Sequence, residues 1–89
     1  MNRERRKRID EVIEKANEIQ AMLQELRDEI EEIQEEEQEY LENIPENLQG
    51  SERYETAENA VDSLASAVDW CDSIDYDELI SVLEESKGN

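Results

Sequence analysis

Apolar residues recur along the first half of the chain at alternating intervals of three and four. Ile9, Ala16, Leu23, Ile30, Glu37 and Ile44 stand seven residues apart in one column. Val12, Ile19, Leu26, Ile33 and Tyr40 form a second column. Residues three and four apart share a helix face, so this alternation over about five heptads marks a helix with a narrow apolar seam. Neither Gly nor Pro interrupts the pattern before Pro45, and residues 2–43 are read as one helix. Glu37 is the one charge in the seam. The remaining elements are expected to cover both columns.

Pro45 stops the helix, because the residue before a proline is pushed away from helical dihedrals. The connector, 44–51, is expected to use Leu48 as an apolar plug and Gly50 at positive φ, with Ser51 as the N-cap of the next helix. That second helix spans about 52–74, with Tyr54, Ala57, Val61, Leu64, Val68 and Cys71 on its seam. Its small residues allow close backbone approach. A further stripe of Ala60, Ser63, Ala67, Trp70 and Ile74 makes the apolar face wider than a two-helix seam requires. Trp70, Ala67 and Ile74 are therefore expected at an oligomer interface. Asp75 with Glu78 reads as a capping box, which predicts a third helix over about 76–86. At about 1.5 Å per residue, an antiparallel second helix reaches back only to about residue 20 of the first. Ile9, Val12, Ile13 and Ala16 then fall to the third helix, or to a second protomer. The expected fold is all-α: a long helix, an antiparallel helix and a short C-terminal helix in a helical hairpin or coiled coil that assembles into an oligomeric bundle.

Composition narrows the possibilities. At 89 residues with 36% apolar and 4% aromatic content, the chain is read as one small helical domain with little core material. The formal net charge is −18, and it is polarised. Residues 1–8 hold five of the nine bases and one of the 27 acids, whereas eleven acids and no base lie between Asp28 and Glu52. A body so acidic repels nucleic acid and anionic membrane and is attracted to basic protein surfaces. No stretch offers the roughly 20 apolar residues of a membrane span. The basic start is followed by no apolar signal region, and the single cysteine can form no internal disulfide, so a cytoplasmic setting is expected.

The chain has no histidine, the commonest general base and metal ligand. Cys71 lies on a seam with no histidine to activate it, and reads as core packing. Asp72, Asp75, Asp77 and Glu78 lack the glycine and spacing of a calcium loop. No enzyme activity, metal site or cofactor is expected. Two surfaces remain. Glu31, Glu32, Glu35, Glu36, Glu39 and Glu42 can present carboxylates along a rigid helix as nucleic acid presents phosphates. Arg3, Arg5, Arg6, Arg8 and Arg53 could instead gather an anionic small molecule such as a nucleotide.

The stretch from Glu35 to Tyr54, with Ala57 to Asp62 after it, resembles small acidic helical proteins encoded by phages and prophages. The likeness covers about residues 30–68, and the connector Asn43-Ile44-Pro45-Glu46-Asn47-Leu48-Gln49-Gly50-Ser51-Glu52-Arg53-Tyr54 is its specific part. That group has no assigned chemistry, so no functional residue carries over. The resemblance implies an anti-defence protein in the cytoplasm of a bacterial host. Together with the charge, it favours a homo-oligomeric inhibitor that occupies a basic, nucleic-acid-binding surface on a host protein, with no direct contact to nucleic acid. The alternatives are an oligomeric sponge for a nucleotide immune signal, held by the basic residues, and a structural coiled-coil assembly module.

Overall fold

The computed structural model describes residues 1–88. The described residues form three helices and a short 3-10 turn: α1 (Arg3–Glu42), the turn at Glu46–Leu48, α2 (Glu52–Asp72) and α3 (Tyr76–Ser86). Among the described residues there is no strand. Asn2 starts α1, its Oδ1 accepting from the Arg5 amide at 2.9 Å. Such a cap satisfies one of the donors that a helix start leaves unpaired. Ser51 caps α2 by accepting from the Tyr54 amide at 3.3 Å, while its hydroxyl donates to the Leu48 carbonyl at 2.6 Å. Asp75 caps α3 through the Glu78 amide at 3.0 Å. Ser73 to Asp75 break the helical path, so α3 is a separate helix rather than the end of α2. Two local expectations fail. Leu48 is exposed and plugs nothing, and Gly50 does not take positive φ. The left-handed glycine is Gly88, φ 81°, which closes α3 by donating to the Glu85 carbonyl at 3.1 Å.

The chain divides into two compact units, residues 1–24 with 74–89 and residues 25–73. In the second unit, Leu41 and Ile44 at the end of α1 pack on Ala57 and Val61 of α2, with Tyr54 against them. Ala57 is 2% exposed, so the small side chain expected on this seam does let the backbones approach. In the first unit, Ile13 and Ala16 of α1 are buried. There Lys87, just past α3, donates to Asp10 of α1 at 2.7 Å and pairs with Glu84 at 2.9 Å.

Within both units the covered side of α1 is not the expected one. Ile13, Gln20, Arg27, Gln34 and Leu41 form a third seven-residue column, four positions after the first, and all five are buried or half-buried. Val12, Ile19, Leu26, Ile33 and Tyr40 are all exposed, Ile19 and Ile33 at 52% each. The chain's own helices thus take the first and third columns and leave the second open. Arg27 shows how the polar third column is held. Its Nε donates to Asp72 Oδ1 of α2 at 2.7 Å, and its Nη1 donates to Glu31. The Asp72 hydrogen bond chiefly, with Glu31 adding to it and desolvation opposing, raises the guanidinium further above its ordinary value.

Two outcomes follow from this packing. Ala57→Leu should overfill the contact between α1 and α2 and lower stability by about 1–3 kcal/mol in urea unfolding; an unchanged midpoint would contradict the close approach. The second concerns pH. The Lys87 ammonium is raised above 10.5 by the hydrogen bonds it donates to Asp10 and then Glu84. A cation stabilised in the folded state contributes in full below its unfolded value and loses that contribution as pH rises through the raised one. The melting difference between the wild type and Lys87→Met should therefore hold steady from pH 7 to about 9 and shrink above 10.5. A difference that grew with pH would contradict the pairing.

Candidate acidic and basic faces of the long helix

The helical repeat sorts the α1 acids into distinct roles. Glu11, Glu18, Glu25, Glu32 and Glu39 stand at seven-residue intervals, and Glu14, Asp28, Glu35 and Glu42 share the adjoining column. These columns lie on the side of α1 away from the first column. Glu32, Glu35, Glu36, Glu39 and Glu42 are exposed, and among the described residues none of them forms an ion pair. Glu42 accepts only a neutral bond, from Gln38 Nε2 at 3.1 Å. A shallow groove of about 280 Å³ runs between Glu31, Gln34, Glu35, Gln38, Glu39 and Glu42.

Five of the six expected acidic residues are therefore open to a partner. Glu31 is the exception: it is half-buried and spent on Arg27, four residues before it. Glu36 is open but sits beside the uncovered apolar column. Glu25 extends the acidic face toward the N-terminus, and the seven-residue count alone could have found it; Asp28, in the adjoining column, pairs with Arg27 at 3.4 Å. The last turn of α1 carries no base. Carboxylates crowd there against the negative end of the helix dipole, which is locally unfavourable.

The basic residues are not gathered into one site. Arg5, Arg8 and Lys15 line a groove of about 460 Å³ with Met1, Ile9, Glu11 and Val12. Arg3 and Arg6 do not line it, and Lys15 was not in the expected set. Arg53 belongs to the other unit, where its guanidinium stands 5.3 Å from the centre of the Tyr40 ring and bonds the Tyr40 hydroxyl. The arginines of the head take part in none of the ion pairs among the described residues. The cation that ties α3 to α1 is Lys87, and its acids are Asp10 and Glu84.

Trp70 is 76% exposed on α2, with Ser66, Asp69 and Ser73 around it. Ala67 is half-buried and Ile74 exposed. Cys71 is a free, half-buried thiol. Asp75 is used as a cap and Asp72 as the partner of Arg27. Among the described residues, no three metal-ligating side chains converge, and no helix is long and apolar enough to cross a membrane.

No protein-family model matches the chain, and neither a curated protein nor a solved structure matches it.

Proposed function

We propose that the chain is a non-enzymatic inhibitor that binds the basic, nucleic-acid-binding surface of a host protein through the acidic face of α1. The observation that carries this reading is the open column pair holding Glu32, Glu35, Glu39 and Glu42, free of ion pairs among the described residues. Charge density supports it. The acids of this face, Glu32, Glu35, Glu39 and Glu42, fall over roughly 15 Å of helix axis at about 1.5 Å per residue. That is about one negative charge per 4 Å, against about 3.4 Å along one strand of duplex DNA. Helix α1 bears like charges at i,i+4 and acids at its C-terminal end, which cost stability, and Glu32, Glu35 and Glu39 form no ion pair among the described residues in return. Local rules broken without structural gain are expected where a surface is kept for function. Charge of this kind speeds encounter and selects the partner, while apolar contacts set the lifetime. The phage-type resemblance of the connector suggests a defence factor in the cytoplasm of a bacterial host as the target, with the inhibitor acting as a homo-oligomer.

A second reading has its own support. The groove of Arg5, Arg8 and Lys15 offers three cations beside apolar Ile9 and Val12, as a nucleotide phosphate and base would require. In that case the protein sequesters a nucleotide signal.

The two separate cleanly. Wild-type protein should displace duplex DNA from at least one member of a panel of bacterial DNA-binding enzymes. Glu32→Lys, Glu35→Lys, Glu39→Lys and Glu42→Lys together should weaken that displacement at least a hundredfold, with the helical circular dichroism unchanged because Lys forms helix about as well as Glu. Unchanged potency in the folded variant would contradict the proposal. Binding of a cyclic nucleotide that survives this variant and is lost with Arg5→Ala, Arg8→Ala and Lys15→Ala would establish the second reading instead.

A further inference from the structure

The first unit, residues 1–24 with 74–89, has a polar side and an apolar one. Lys87 marks the polar side, where it holds Asp10 of α1 at 2.7 Å and Glu84 of α3 at 2.9 Å. Gly88, one residue on, lies near the Arg6 guanidinium, so the two helices run antiparallel. Each residue turns a helix by about 100°, so residues two apart stand on nearly opposite faces. Val12, two after Asp10, and Val82, two before Glu84, therefore share the other side of the pair. Ile19 repeats Val12 after seven residues, and Leu79 precedes Val82 by three. All four are exposed, at 48% to 53%. Counted back from the Asp10–Lys87 pair, Val82 comes level with about residue 15 and Leu79 with about residue 18. The four side chains thus form one patch rather than scattered singles.

The rim of this patch is basic. Arg8 and Lys15 flank Val12 at i−4 and i+3, on the edge of α1 away from α3, and Arg5 stands just before them. All three line the groove of about 460 Å³ that Val12 shares. None of them enters an ion pair among the described residues. Acids are scarce here. Glu11 is the one acid along the groove, and Asp75, at the α3 end of the patch, is engaged as the helix cap. In a chain of net charge −18, this face is the exception: open, apolar and edged by free cations.

We infer that this side of the α1–α3 pair is a docking surface for an amphipathic helix of a partner protein, one with an apolar stripe and an acidic flank. The furrow between two antiparallel helices is the place a third helix takes in a bundle, and the partner's residues at i, i+3, i+4 and i+7 would fill it. Charge fixes the character of its flank. Arg8 and Lys15 stand seven residues apart, so acids two turns apart on the partner meet both at once. Other occupants match less of the face. A nucleotide would engage the cations and leave Leu79 and Val82 of α3 bare. An anionic bilayer is flat and would meet the acidic remainder of the chain, whereas a single helix stays within about 8 Å of the cations, inside the screening length. The inference uses none of Glu32, Glu35, Glu39 and Glu42. Its failure would leave the inhibitor reading standing, and the reverse holds too.

The test uses two stapled helical peptides of about 14 residues, the staple being needed because so short a helix is marginal in water. Both carry a leucine stripe at i, i+3, i+4 and i+7; one has glutamates along a flank of the stripe and the other lysines. Fluorescence anisotropy on the full chain should show the glutamate peptide binding at tens of micromolar, and the lysine peptide about tenfold more weakly or worse. Val12→Ser with Val82→Ser should weaken the glutamate peptide about tenfold, both sites being half exposed and the helical circular dichroism unchanged. Arg8→Glu with Lys15→Glu should reverse the preference and favour the lysine peptide, a gain that misfolding cannot produce. No binding of either peptide, equal binding of both, or an unreversed preference in the charge variant would overturn the inference. Binding of phosphatidylglycerol vesicles or of a cyclic nucleotide, with neither peptide bound, would overturn it in favour of a membrane or a nucleotide.

Discussion

Helix α1 is longer than either helix that packs on it, and its apolar residues fall in three columns, of which the chain's own helices can cover two adjoining ones. The connector at Pro45 returns the chain as α2, and the break at Ser73 to Asp75 starts α3. Within its own unit, α2 packs against Leu41 and Ile44, and in the other unit, which holds α3, Ile13 is buried. Arg27 is central to that choice. Its planar guanidinium bridges Glu31 on its own helix and Asp72 on α2, which gives a polar position a partnered place in the seam. Each exposed bond is modest by itself. Their geometry nonetheless selects one face of α1 over the more apolar one beside it.

The consequence is a division of labour around one helix. One side holds the chain together. The second column, with Arg8, Lys15, Glu29 and Glu36 flanking it, is left uncovered. The columns of Glu32 and Glu39 and of Glu35 and Glu42 face away from the covered side. Asp10 and Glu31 belong to neither open surface, because Lys87 and Arg27 already engage them.

Local signals made most of the secondary structure legible. Pro45, Ser51 and Asp75 act through steric exclusion and side-chain caps within three residues, and such effects can be read in order along a chain. The choice of seam was not legible in the same way. Ile13 and Leu41 are as apolar as Val12 and Tyr40, and the deciding contact joins Arg27 to Asp72, 45 positions apart. Trp70, expected at an oligomer interface, stands exposed on α2. The acidic face was visible as a run of Glu, but the loss of Glu31 to Arg27 required the packing. The basic groove was half visible: Arg5 and Arg8 were named, while Lys15 enters through the seven-residue spacing that puts it beside Arg8.

Which column of α1 faces its own chain can be read in one spectrum. A nuclear Overhauser experiment on methyl-labelled protein detects the side chains of α1 that lie against α2. The expected cross-peaks join the Leu41 methyls to those of Ala57 and Val61. Cross-peaks from the Ile33 methyls to Ala57 and Val61 in place of those from Leu41 would contradict the account.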